Sequence, residues 1–153
     1  MKKERIFLGS DHAGFKLKEE IKKYLRKKRC VLEDLGVFDG NNSYDYPETA
    51  LKVAKKVAQF NAKGILMCGT GIGEAIVANK VKGVRAANCF DEYTAKMSRE
   101  HNNSNVLCLG ARVLDKNLAK KIVKIWLEAN FSKESRHRRR VNQIKAIEKN
   151  LCR

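Results

Sequence analysis

The chain has 153 residues, 33 Lys and Arg against 17 Asp and Glu, a net charge of +16 and a hydrophobic fraction of 43%. That length suits one domain, 1–153, able to bury roughly 68–70% of its unfolded surface, and the hydrophobic content excludes an intrinsically disordered chain. No apolar run approaches the ~20 residues of a membrane span, and Ile6 to Leu8 form too short a core for a signal peptide.

Short apolar runs alternate with helical patterns along the chain. The first run, Ile6-Phe7-Leu8, reads as a buried strand and leads into Gly9-Ser10-Asp11-His12-Ala13-Gly14. Leu17, Ile21, Tyr24 and Leu25 then share one helical face. Val31-Leu32 is a second strand, and Val53, Val57 and Phe60 mark a second helix. Ile65-Leu66-Met67 is the third strand, followed by Cys68-Gly69-Thr70-Gly71-Ile72-Gly73-Glu74. Val84 to Ala87 is the fourth, and Asp91 is placed to cap the helix after it. That helix ends at His101-Asn102-Asn103, ahead of the fifth strand, Val106 to Leu109, and the turn Gly110-Ala111-Arg112. Asp115 caps a helix carrying Leu118, Ile122, Ile125 and Trp126 on one face, and a further helix runs from about 133 to 149. This β-α repetition predicts an α/β fold, a five-stranded parallel sheet with helices on both faces. The last helix is not needed to close the sheet, and is expected to dock on a partner subunit or to cover its own domain.

The five cysteines are odd in number, with no CxxC, which argues against a disulfide framework or a zinc site and favours the cytoplasm. Cys89 and Cys108 read as small core residues. In open α/β sheets the ligand crevice lies at the carboxyl ends of the strands, at a topological switch point. In a flavodoxin-like strand order, strands one and three flank that point. The segments after them would face each other.

The glycines at 69, 71 and 73 let the backbone turn tightly and approach a ligand. The following helix would aim its free N–H groups there, making an anion site or oxyanion hole, and would lower the pKa of Cys68. Two rival motifs fail on spacing. A dinucleotide fingerprint needs G-x-G-x-x-G after the first strand, and a phosphatase loop needs an Arg where Glu74 stands. Asp11-His12 can orient hydroxyls or move protons, although Asp11 alone also reads as a helix cap. His101 falls at the amino end of the fifth strand, away from its own crevice, so a role in catalysis would be in a partner's site. Taken alone it reads as a dipole-compensating residue.

The charge concentrates in two blocks, 16–29 and 132–153, each with eight basic and two acidic residues. The first reads as a solvated Lys-rich helix face. In the second, Arg136 and Arg140 stand four apart, on one helix face able to clamp a phosphate, while Arg138 and Arg139 point elsewhere. Nucleic-acid binding would want aromatic residues interleaved with the basic ones, and only Tyr24 meets that in the first block.

Taken together, Gly9 to Gly14, Asp45-Tyr46-Pro47, Cys68 to Gly73, Ala78-Asn79-Lys80, Ser98 to Asn105 and Arg136-His137 resemble the ribose-5-phosphate isomerase B family, which also includes galactose-6-phosphate isomerase subunits. The resemblance spans nearly the whole chain. It implies a Rossmann-like three-layer α/β/α sandwich with the extra C-terminal helix. It also implies a homodimer or tetramer with shared active sites, and a metal-free, cofactor-free interconversion of ribose 5-phosphate and ribulose 5-phosphate through an enediolate. Hexose 6-phosphates are the alternative substrates.

By position, the resemblance makes Cys68 the base that moves a proton from C2 to C1. The N–H groups from Gly69 through Gly71, Ile72 and Gly73 to Glu74 would hold the enediolate oxygen, with Thr70 helping. His101 would assist ring opening with Asp11 contacting the ring, Asn102 would bind the sugar hydroxyls, and His12, Arg112, Arg136 and Arg140 would surround the phosphate. Some family members lack the Cys and use a Glu after the glycine turn. This chain has both Cys68 and Glu74, so either can be the base.

Overall fold

A computed structural model describes residues 4–28 and 30–151; Cys152 lies outside them. All five strands are parallel: β1 (Arg5–Ser10), β2 (Val31–Asp34), β3 (Lys63–Cys68), β4 (Ala86–Asn88) and β5 (Val106–Gly110). The helices are α1 (Phe15–Arg26), α2 (Tyr46–Phe60), α3 (Ile72–Ala78), α4 (Glu92–Glu100), α5 (Lys116–Glu128) and α6 (Ser135–Leu151). The sheet order is β2-β1-β3-β5-β4. β1 and β3 are neighbours, as the flavodoxin-like reading requires, but β5 inserts between β3 and β4. Among the described residues no helix is long and apolar enough to cross a membrane.

Strand pleating sorts the core. Ile6, Leu8, Ile65, Met67, Leu107 and Leu109 face α1 and α5, where Ile21, Leu25, Ile122 and Trp126 are fully buried. Phe7, Leu66, Val106 and Cys108 face the other way, onto Val53, Ala54 and Val57 of α2 and Ala78 of α3. The result is three layers, with two apolar clusters back to back across the sheet. Cys68 shares the pleat face of Leu66, so its thiol points to the α2–α3 side. Cys89 and Cys108 are buried core residues as expected. Phe60 differs from the sequence reading. It ends α2, is 45% exposed, and its ring lies beneath the Arg5 guanidinium.

Asp91 accepts the Thr94 N–H at 2.6 Å and forms a full capping box. Asp115 accepts the N–H groups of Asn117 and Leu118. α6 packs on its own domain through His137 and Val141, and Glu148 accepts the Gly83 N–H at 3.2 Å.

The Lys-rich face of α1 is not wholly solvated. Lys18 is fully buried, its ammonium 2.7 Å from Asp34 Oδ1 and lying over the rings of Phe15 and Phe38. Lys22 reaches the other oxygen of Asp34 at 2.6 Å. Burial pushes the Asp34 carboxyl up, but hydrogen bonds from Lys18 and Lys22 overcome it and hold the pKa below the ordinary carboxylate value. Removing that carboxylate leaves the buried Lys18 ammonium only the more distant Glu19, at 3.6 Å. Asp34→Ala is therefore expected to cost about 3 kcal/mol in denaturant unfolding, whereas Lys23→Ala, an exposed α1 lysine, costs under about 0.5 kcal/mol.

Candidate active site

Cys68 ends β3 at the carboxyl edge of the sheet and is 4% exposed. The chain must turn there without leaving the edge. Gly71 makes the turn at φ +79°, and a Cβ on it would stand 2.6 Å from Asn88 Oδ1. Its N–H donates to Cys68 Sγ at 3.1 Å. Asn88 Nδ2 donates to the Thr70 carbonyl at 3.3 Å, tying the turn to β4. On the β5 side, Ala111 and Arg112 donate backbone N–H groups to the Cys68 and Gly69 carbonyls at 2.8 and 3.0 Å. The Arg112 side chain covers Gly69, with Nη1 3.2 Å from where a Cβ would be. The Tyr46 ring lies against Gly73. Thr70 is exposed, and its hydroxyl accepts the Ile72 N–H at 3.3 Å. A helix's first-turn N–H groups have no partners within the helix, so this turn presents donors toward the crevice.

Glu74, in the first turn of α3, is fully buried, and neither carboxylate oxygen has a hydrogen-bond partner among the described residues. Burial, with the negative charge of Asp11 added, pushes its pKa well above the ordinary value. The expectation that the turn would lower the Cys68 pKa is reversed. Burial and the Glu74 charge raise the thiol, and the backbone hydrogen bonds from Thr70 and Gly71 only partly offset them. Cys68 and Glu74 therefore titrate as a pair.

A carboxyl whose folded pKa is raised opposes folding above its unfolded pKa, and that opposition disappears as pH falls below it. Glu74→Gln is thus expected to raise Tm at pH 7, by about 2–4 °C for each 1 kcal/mol recovered. The gain should shrink toward pH 4, readable by thermal melts across that range.

Asp11 is nearly buried and accepts the Gly14 N–H at 2.9 Å, so it braces the turn into α1 while its charge acts on Glu74 and Cys68. That turn is tight: a Cβ on Gly14 would fall 1.8 Å from the Met67 carbonyl oxygen. His12 Nδ1 accepts the Tyr44 N–H at 3.1 Å, which leaves Nε2 to carry the ring proton. One edge thus gathers Asp11, His12, Cys68, the glycine turn, Glu74 and Arg112. Among the described residues no three His, Cys, Asp or Glu side chains converge as a metal-ligand set.

His101 and Asn102 lie at the opposite edge. His101 is the C-cap of α4, and the segment after it enters β5 at Val106, level with Gly64, while Cys68 is level with Gly110. Four residues of strand, about 13 Å, separate those two levels. The His101 loop is firmly held. Trp126 Nε1 donates to Ser104 Oγ at 2.8 Å, Ser104 Oγ donates to Ser98 Oγ at 2.9 Å, and Arg99 donates to the Ser104 carbonyl. His101 packs against His137 of α6, the ring centroids 4.2 Å apart and the planes tilted by 42°. His137 is 2% exposed and its Nδ1 has no hydrogen-bond partner among the described residues. Burial and the neighbouring charges of His101, Arg136 and Arg140 lower its pKa.

Arg136 and Arg140 are exposed on the same helix, and Arg136 pairs with Glu134 at 2.7 Å. The chain alone does not bring Arg136, Arg140, His101 or Asn102 to its own Cys68. Sequence reasoning missed the structural parts of Asn88, Tyr46 and His137. Tyr46 and His137 were visible only as members of matched motifs, and Asn88 carried no signal because its value depends on the β4–β5 exchange.

The sequence pattern of the Ribose/Galactose Isomerase family matches residues 6–144. The ribose-5-phosphate isomerase B of Escherichia coli K12 is 44% identical over 146 residues, covering 95% of this chain and 97% of that one. The D-erythrulose-4-phosphate isomerase 2 of Mycolicibacterium smegmatis is 43% identical over 147 residues, covering 94% and 97%. Among solved structures, the ribose-5-phosphate isomerase B of Mycoplasma genitalium with bound ribulose-5-phosphate superposes with a TM-score of 0.91. It is 44% identical and covers 95% of this chain and 96% of that one. With this sheet, this glycine turn and near full-length similarity, the chain belongs to the ribose/galactose isomerase family.

Proposed function

We propose that the chain is an aldose–ketose isomerase interconverting D-ribose 5-phosphate and D-ribulose 5-phosphate, a step of the non-oxidative pentose phosphate pathway. The observation that carries this reading is the buried Cys68–Glu74 pair beside a donor-rich glycine turn, in a chain 44% identical to an isomerase solved with ribulose-5-phosphate. Isomerisation needs a base for the C2 proton and donors for the charge that develops on oxygen. Cys68 takes the C2 proton and returns it to C1, while the hydroxyl proton moves between the two oxygens. The N–H groups of residues 69–74 and the Thr70 hydroxyl hold the enediolate. Glu74 shares the proton of Cys68.

The remaining groups come from a second copy. His101 opens the sugar ring with Asp11 of the opposing chain, Asn102 binds hydroxyls, and Arg136 and Arg140 join His12 and Arg112 at the phosphate. Exposed apolar side chains support a homodimer. Ile72, Ile76, Phe90 and Val113 border the Cys68 edge, and Ile147 and Leu151 lie on α6, all at least 55% exposed. A two-fold dimer would seat α6 of each copy beside the crevice of the other. The free thiol of Cys68 suits the reducing cytoplasm.

A coupled assay tests the reading. Ribose 5-phosphate is expected to turn over with a higher kcat/KM than allose 6-phosphate, galactose 6-phosphate or erythrulose 4-phosphate. A preference for a four- or six-carbon phosphate overturns the substrate, and no turnover of any of them overturns the activity.

A further inference from the structure

The amino ends of the strands border a half-open cavity of about 920 Å³, at the opposite edge of the sheet from Cys68. Among the described residues, the cationic side chains that line it are Arg5, Lys63, Arg85 and Arg99. Glu4, the acid among the described residues of its lining, pairs with Lys63 at 2.6 Å. Both arginines at its base are held by groups that do not neutralise them. Arg85 Nε donates to the Asn102 and Asn103 carbonyls at 3.1 and 3.0 Å, and its terminal nitrogens have no partner among the described residues. Arg99 donates to the Asn103 side-chain oxygen at 3.2 Å, to the Ala129 carbonyl at 3.3 Å and to the Ser104 carbonyl.

Burial lowers the pKa of both guanidiniums, and the charge of Arg85 lowers that of Arg99 further. Glu148 and Glu4 oppose this from a distance, without an ion pair to either arginine. Above them Arg5 lies over the Phe60 ring at 4.9 Å, and Asn61 and Asn103 add amides to the lining.

Half-buried charges of one sign are costly unless an opposite charge joins them. Carbonyl partners fix the arginine forks in place yet leave their charge available, which is the arrangement a phosphate oxygen requires. The volume is that of a small-molecule site. We infer that this cavity binds a small phosphorylated anion carrying two or more negative charges, at a site apart from the Cys68 turn although its base holds the loop that presents Asn102 to a partner's crevice; the inference does not rest on the reaction assigned to that crevice. Its base is the clamp on the Asn102–Ser104 loop, so an occupant would also stiffen that loop.

Calorimetric titration of the full chain with pyrophosphate tests this. Wild type is expected to bind pyrophosphate with a component that saturating ribose 5-phosphate does not displace. That component should survive in the Arg136→Ala/Arg140→Ala double variant. It should weaken at least about tenfold, 1.4 kcal/mol, in Arg85→Gln and in Arg5→Glu. Arg5 is exposed, so Arg5→Glu decides the matter should Arg85→Gln fail to fold by circular dichroism. Complete displacement by ribose 5-phosphate, loss in the Arg136→Ala/Arg140→Ala variant, no binding at millimolar pyrophosphate, or binding unchanged by Arg5→Glu would each overturn the site.

Discussion

Cys68→Ala is expected to lower kcat/KM for ribose 5-phosphate by about 10³-fold, within the range that a positioned general base contributes. Glu74→Gln, which keeps the shape of the side chain but cannot hold the second proton, is expected to cost about 10- to 100-fold. The order of the two losses identifies the base. If Cys68→Ala keeps most of its activity while Glu74→Gln loses it, the carboxylate is the base.

The pH profile adds a second reading. Burial raises both members of the pair, with the Asp11 charge adding to Glu74 and the Glu74 charge adding to Cys68, so a base exists only after the pair gives up a proton. Activity should rise with pH, with its acid limb well above the ordinary carboxylate range, and that limb belongs to the pair rather than to either residue. Glu74→Gln removes the negative neighbour that raises Cys68, so the limb of that variant should report the thiol alone, below the value it has beside an ionised Glu74.

The sequence made the layers of this fold legible because burial on both faces writes itself into short apolar runs such as Ile65-Leu66-Met67. It left the lateral order of the strands open. The patterns of Val84–Ala87 and Val106–Leu109 state that each is a strand, not which of them sits next to β3. β4 is in fact Ala86–Asn88 at the sheet edge, only partly buried. Lys18 was misread for a related reason. Its spacing, three before Ile21 and seven before Leu25, sets it beside the apolar face of α1, but a lysine there reads as solvated because the partner that draws it inside, Asp34, lies 16 residues away on an edge strand.

The Cys68 turn was found because glycines at alternate positions after a strand have few other uses. The direction of the thiol's pKa was not legible, since a local motif advertises its N–H donors but hides the depth of burial and the buried carboxylate one helical turn on. In a site that excludes water, desolvation outweighs a few backbone donors.

The largest expected gain of activity comes from mixing two dead proteins. His101 and Asn102 stand at the amino edge and Cys68 at the carboxyl edge, so one chain supplies each half to a different crevice if sites are shared. In the proposed dimer, Cys68→Ala and His101→Ala proteins should each be nearly inactive on ribose 5-phosphate. Unfolding and refolding them together in equal amounts makes about half of the dimers heterodimers. In each heterodimer one crevice carries both substitutions and the other carries neither. The mixture should therefore recover about a quarter of wild-type kcat, with an unchanged KM at the restored site, since that crevice is wild type in every residue. A site built within one chain gives no such recovery, because every crevice then keeps one of the two substitutions whichever partner it meets. Activity of the mixture at the level of its parents, with heterodimers confirmed by native mass spectrometry, would remove the shared site. It would then require the His101 end of α4 to move by more than 10 Å to reach its own Cys68, a distance set by the length of β5 itself.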